Sequence, residues 1–181
     1  MKKINVIIFA IILFGKLAFS QGTDSFSFVE SGVGAWYPQE VHAVFNVAYT
    51  AAVSESFAVE LSYNLGADKN SVEFHELGVK VGPYVKLGKY SYLMLSAGGA
   101  IMFDPSGRGF EQQQSGSGLP LLTYSDGNNL LHIPLQAKLN MTVFKRLGLG
   151  MKYTYNKNFK EGIEDQSYFV LFLSYSLSRA N

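Results

Sequence analysis

Residues 41–53 read Val41-His42-Ala43-Val44-Phe45-Asn46-Val47-Ala48-Tyr49-Thr50-Ala51-Ala52-Val53, and the alternation in this stretch decides the fold class. Val41, Ala43, Phe45, Val47, Tyr49, Ala51 and Val53 share one parity. His42, Asn46, Ala48, Thr50 and Ala52 share the other, with Val44 the one large apolar residue among them. Successive side chains of a strand point to opposite faces, whereas a helix needs a period near 3.6. The stretch is a strand with one greasy face and one mild face.

Seven further windows behave the same way: 33–35 (with the strand starting nearer 26), 57–65, 77–85, 93–103, 131–143, 147–155 and 169–177. Odd positions in all of them are uncharged, and only Gly99 and Pro83 are not clearly hydrophobic. Every charge in the windows is even-numbered: Glu60, Lys80, Lys138 and Lys152. The two faces therefore meet different surroundings. The connections add a second regularity. Segments 54–56, 86–90 and 144–146 are short, while 66–74, 104–129 and 156–166 are longer, with a tight link at Pro38 and Gln39. Short and long connections alternate, as they do when an up-and-down sheet keeps its short turns at one end.

The amino terminus carries an address. Lys2 and Lys3 precede an apolar run from Ile4 to Phe14 broken only by Asn5, and Ala18-Phe19-Ser20 supplies small residues at the positions a signal peptidase reads. The run is shorter than the ~20 apolar residues of a membrane-spanning helix. The expected division is 1–20 as a cleaved signal peptide and 21–181 as one barrel domain, with a mature net charge of −2. The 181 residues suit one domain, and 18 glycines with 14 Phe and 11 Tyr favour strands and turns. The absence of cysteine excludes a disulfide scaffold, a thiolate zinc site and a cysteine nucleophile. Fifteen basic against fourteen acidic side chains give no field that points to a nucleic-acid partner.

Period two alone does not say whether the greasy face points inward, as in a soluble lipocalin-like calyx, or outward into lipid. Three observations favour lipid. The mild face is built from Gly, Ser, Thr, Asn and Ala with few charges, which suits a crowded lumen better than a water-facing exterior. The strands run to about 9–13 residues, near the ~9–11 of a tilted membrane strand and above the ~5–6 usual in globular proteins. Tyr37, Phe57, Tyr63, Phe103, Tyr155 and Tyr175 lie on the apolar face near strand ends, where membrane interfaces collect aromatic rings. The expected fold is an all-β, eight-stranded antiparallel up-and-down transmembrane β-barrel.

The chain resembles the small, porin-like outer-membrane β-barrel family of Gram-negative bacteria, most closely at His132-Ile133-Pro134-Leu135-Gln136-Ala137-Lys138-Leu139 and Leu147-Gly148-Leu149-Gly150-Met151-Lys152-Tyr153. The resemblance implies a multi-pass protein of the cell outer membrane, inserted by the barrel assembly machinery, surrounded by outer-membrane lipid and monomeric. No cofactor is implied.

Eight strands enclose a bore that side chains can fill. A hairpin centred on residue 70 sets Glu60 opposite Lys80, and the 144–146 turn sets Lys138 opposite Lys152, so an acid such as Glu30 or Glu60, or open water, is expected near the two lysines. Asn46 and Gln136 complete the candidate lumen residues. The leading expectation is a filled lumen with a structural or surface-interaction role. The alternatives are a narrow channel for small polar solutes, a lipid-modifying enzyme, or a soluble lipocalin-like binding protein. An enzyme would need Ser71, His75 and Glu73 or Glu76 to converge, yet His75 has the opposite parity to His42 and His132. Residues 104–129, rich in Gly, Ser and Gln, read as a mobile external loop offering Arg108, Phe110 and Tyr124 as contacts. Pro83 and Pro134 are expected at bulges or strand ends, because a closed barrel has no free edge for a missing N–H.

Overall fold

In a computed structural model, residues 26–37, 42–67, 72–88, 91–103, 111–114, 120–123, 130–158 and 165–177 are described. The 1–20 segment, Ser71, Arg108, Phe110 and Tyr124 lie outside them. The strands are β1 (Ser27–Tyr37), β2 (His42–Ala52), β3 (Phe57–Ala67), β4 (Val72–Lys86), β5 (Tyr92–Phe103), β6 (Glu111–Gln114), β7 (Pro120–Thr123), β8 (Leu130–Phe144), β9 (Leu147–Asn158) and β10 (Gln166–Ser176). Eight of them close a barrel in the order β1-β10-β9-β8-β5-β4-β3-β2, every pair antiparallel. Each barrel strand pairs with the next barrel strand along the chain, β5 with β8 across the β6–β7 insertion, and β1 pairs with β10 to seal the cylinder, so the barrel leaves no edge open.

Parity sorts the side chains. Every large hydrophobic residue that is strongly exposed is odd-numbered except Phe144, from Val33 and Phe45 to Leu173 and Leu177. Leu173 is 66% and Leu135 47% exposed, while Val44, Glu60 and Val170 are at 0%. Phe45 and Leu173 point away from the axis, so the greasy face is the outer wall. Tyr49 and Ala51 are odd yet buried, packed among outer-wall neighbours at the short-turn end of β2. Phe144 is the other exception, and a register shift between Thr142 and Phe144 turns it outward.

Two corrections concern the connections. Residues 104–129 contain a small hairpin, β6 paired with β7 from Glu111↔Thr123 to Gln114↔Pro120. A Gln-rich strand has no apolar alternation, so a period-two reading passes over it. Strand β4 begins at Val72 and not at 77, and the apolar alternation is hidden at its start because His75, on the outer face, is polar. The prolines also behave differently from the expectation. Neither makes a bulge. Pro83 and Pro134 sit inside β4 and β8, and both ladders to β5 skip two pairs beside them with no change of register. Tyr84 N donates to Ser56 O across β3, so the missing N–H of Pro83 faces β5, where the ladder is already interrupted.

Tight curvature needs glycine where strands approach. A Cβ on Gly34 would sit 1.9 Å from Phe169 O, and one on Gly98 would sit 1.8 Å from Val79 O. Elsewhere a ring covers a glycine directly across the ladder: Phe172 lies on Gly150 and Phe74 on Gly66. These even-numbered glycines make room in the bore for aromatic side chains.

Candidate functional site in the barrel lumen

The bore is filled in layers. At the short-turn end, Phe26, Phe28, Ala52, Ala58, Tyr84, Tyr92 and Met94 form a buried apolar cluster. The Phe26 ring stacks on Tyr92 at 4.8 Å and meets Tyr84 edge-on at 4.6 Å. At the long-loop end a second cluster joins Trp36, Val44, Phe74, Met102, Leu130, Tyr168, Val170 and Phe172. All of these residues are even-numbered, so the inner face carries large rings at both ends as well as the small polar residues expected of it.

Between the two clusters lie the charges. Glu60 and Lys80 are partners across β3 and β4, and Lys80 Nζ donates to Glu60 Oε1 at 2.9 Å and Ser62 Oγ at 2.8 Å. Lys138 and Lys152 are partners across β8 and β9. The acids expected near them are present. Lys138 Nζ reaches Glu30 Oε1 at 2.5 Å, Glu60 Oε2 at 2.6 Å and Thr50 Oγ1 at 2.6 Å. Lys152 Nζ approaches Glu60 at 3.6 Å and Glu30 at 3.8 Å, makes no hydrogen bond, and lies 5.5 Å from the centre of the Phe172 ring. Gln136 Nε2 donates to Glu60 Oε2 at 3.0 Å, and its Oε1 accepts from Thr154. Tyr92 Oη donates to Glu30 Oε1 at 3.1 Å, tying the charges to the lower aromatic cluster. Three lysines and two glutamates thus share one layer with almost no exposure.

Beside the upper cluster a second polar group forms around Glu76. Its carboxylate accepts from Asn64 Nδ2 at 2.6 Å, Tyr168 Oη at 3.0 Å and Asn156 Nδ2 at 3.1 Å, and pairs with His132 Nε2 at 3.1 Å. Asn46 Nδ2 donates to Asn64 Oδ1 at 2.5 Å, which brings the sixth expected lumen residue into contact with this group. Glu76, His132, Tyr92 and the aromatic layers were missed as lumen residues. The signal was present in the sequence: Phe26, Phe28, Trp36, Phe74, Tyr84, Tyr92, Tyr168 and Phe172 all share the parity of Glu60.

His75 and His132 lie on opposite faces, as their parity requires. His75 faces outward, half-buried, with Tyr63 Oη 2.5 Å from its Nδ1. Glu76, the next residue, points into the bore. His75 and Glu76 therefore do not converge as one catalytic set; Ser71 and the side chain of Glu73, the other acid named for that set, lie outside the described ones. No group of three or more metal-ligating side chains occurs among the described residues. At the rim, Asp165 accepts from Lys157 Nζ at 2.8 Å, Asn158 N at 3.0 Å and Tyr155 Oη. Slight burial alone would raise its pKa, but these donors hold the carboxyl down at about 2.

No family model matches the chain, and no curated protein matches its sequence. Solved structures do match. The N-terminal β-barrel domain of Pseudomonas aeruginosa OprF aligns with a TM-score of 0.60 at 11% identity, covering 87% of this chain and all (100%) of that one. Neisserial surface protein A aligns at 0.56 and 8% identity over 86% of this chain and 99% of that one. The outer-membrane enzyme PagL aligns at 0.54 and 12% identity over 82% and 98%. The chain has the fold of the small eight-stranded outer-membrane β-barrels, and its apolar outer wall is that of a membrane-spanning barrel of eight antiparallel strands.

Proposed function

We propose that the protein is a closed, non-conducting and non-catalytic barrel that anchors its long connections at the cell surface, where they serve a structural or surface-interaction role. The observation that carries this reading is the filling of the bore: a desolvated layer of Glu30, Glu60, Lys80, Lys138 and Lys152 held between two apolar clusters. Water would screen these charges from one another, and an ion would have to displace rings at both ends to pass. A narrow channel is disfavoured at the glycines where it would most readily run. A Cβ on Gly150 would lie 2.2 Å from Phe172 Cζ, and one on Gly148 would lie 2.4 Å from Ser174 Oγ, so the space beside them is taken. The version of a lipid-modifying site that pairs His75 with Glu76 loses support because the two lie on opposite faces.

The test is conductance in planar bilayers containing the purified, heat-modifiable barrel. The proposal expects no steady current above background. Discrete channels that disappear when Gly150 is replaced by a bulky residue would make it a pore. Turnover of outer-leaflet lipid, lost in both His75→Ala and Ser71→Ala, would make it an enzyme.

A further inference from the structure

The outer wall is not uniform. Across β4, β5, β8 and β9 it is hollowed into a groove of about 520 Å³, lined outward by Val81, Pro83, Leu95, Ala97, Leu135, Ala137, Tyr153 and Tyr155. Its depth comes from the small side chains Ala97 and Ala137 and from the β4–β5 ladder, which is interrupted at Gly82 and Pro83. No charged side chain lines it.

Directly below this groove, at the short-turn end of the same four strands, the described charges are basic. Lys86 ends β4 and is exposed, and Lys145 and Arg146 form the β8–β9 turn. The β4–β5 and β8–β9 connections are tied together, because Thr142 N donates to Ser91 Oγ at 2.9 Å. Glu55, an acid of the β2–β3 turn, stands beside the end of β4 near Lys86, since Tyr84 N donates to Ser56 O and Tyr84 Oη to Ser54 O, and β4 and β5 separate it from Lys145 and Arg146. Lys145 Nζ lies 5.1 Å from the centre of the Phe144 ring, which the register shift has turned outward, and Val85, Leu87, Val143 and Leu147 are exposed around it. Basic heads thus border water while apolar side chains border hydrocarbon. Pro83 is three residues up β4 from Lys86, about 10 Å along the strand.

We infer that this face binds one anionic glycerophospholipid from the leaflet the short turns meet, its phosphate on Lys86, Lys145 and Arg146 and one acyl chain in the β4–β5–β8–β9 groove. The charge complements a phosphate, and an uncharged groove inside the lipid belt fits a hydrocarbon chain. The rim selects headgroup charge and the groove fixes position. Neither element uses the lumen, so the inference stands apart from the question of conductance.

The experiment uses the full barrel reconstituted in vesicles of equal parts phosphatidylcholine and phosphatidylglycerol, then released into mild detergent for native mass spectrometry of retained lipid. The wild type is expected to keep phosphatidylglycerol in preference to phosphatidylcholine. Lys145→Gln with Arg146→Gln should cut that preference by roughly fivefold per charge removed while still retaining some lipid of either kind. Ala137→Phe, which fills the groove without touching a charge, should lose both lipids. Heat-modifiable gel migration verifies that each variant is folded. Three outcomes overturn the inference: equal retention of the two lipids by the wild type, an undiminished preference in the charge variant, or a dimer abolished by Ala137→Phe, which would make a second copy the occupant.

Discussion

Replacing Glu60 with glutamine should be the most damaging polar substitution in the bore. Glu60 touches Lys80 at 2.9 Å, Lys138 at 2.6 Å, Gln136 at 3.0 Å and Lys152 at 3.6 Å, with no exposure to solvent. The layer holds three lysines against two glutamates. Glu60→Gln leaves three positive charges facing Glu30 alone, in a volume that cannot admit water without moving rings. Breaking a buried pair by removing one partner costs about 3–5 kcal/mol, and Glu60 serves more than one lysine. Lys152→Met is the counterpart. Its Nζ makes no hydrogen bond and its nearest carboxylate oxygens are 3.6 and 3.8 Å away, so a methionine packed on Phe172 should be neutral or mildly stabilising. The double variant should recover part of the loss of Glu60→Gln. Urea unfolding in lipid vesicles can be followed by the fluorescence of Trp36, the single tryptophan, which is 2% exposed. Equal slopes against urea would certify that stability alone has changed. A Glu60→Gln variant within about 0.5 kcal/mol of wild type would refute the reasoning, because so small a cost requires solvated charges and a wet bore.

Other substitutions test other layers. Leu135→Arg puts a charge on the lipid face, costs ~2–4 kcal/mol near the midplane, and should sharply lower the yield of heat-modifiable barrel. Gln136→Arg alters the inner face instead, and the filled bore makes it costly too. Gln136 is 4% exposed and already bonded to Glu60, so an added positive charge and volume should also destabilise, read as a lower urea midpoint. Gly34→Ala should prevent closure of β1 on β10, since its Cβ would overlap Phe169 O; folding assays should show the protein remaining in the unfolded gel band. The Asp165 carboxyl should titrate near 2 by NMR and move back toward 3.8 in Lys157→Met. A depressed carboxyl favours the clasped rim at all pH above its free value, and that support should disappear as pH falls through about 2.

Much of this architecture was legible because strand geometry makes parity a direct readout of facing. Val41 to Val53 and Phe169 to Leu177 sort the side chains into two walls, strand length and the placement of aromatic residues assigned the greasy wall to lipid, and turn spacing fixed Glu60 against Lys80 and Lys138 against Lys152. Three features were not legible for physical reasons. The β6–β7 hairpin has strands of four residues each, too short to show a period-two pattern. The start of β4 carries Glu73 and His75 at odd positions, so its sequence looks unlike a membrane strand although the backbone is continuous with one. The need for an acid beside Lys138 and Lys152 was legible from their like charge, but that Glu30 and Glu60 both supply it depends on contacts across the bore, which the pairing of adjacent strands does not specify. The aromatic layers fall between these cases: their parity was visible, but alternation scored by polarity treats an inward ring as noise.

The account depends on which wall meets lipid and on whether the bore is closed, and spin-label scanning along β10 tests both. The chain lacks cysteine, so a single cysteine placed in turn at Phe169, Val170, Leu171, Phe172, Leu173, Ser174 and Tyr175 carries a label without background. In bilayers, labels at odd positions should collide with oxygen and not with a water-soluble nickel chelate, while labels at even positions should meet neither. Nickel collisions at even positions would reveal a water-filled bore, and nickel collisions at odd positions would turn the barrel inside out.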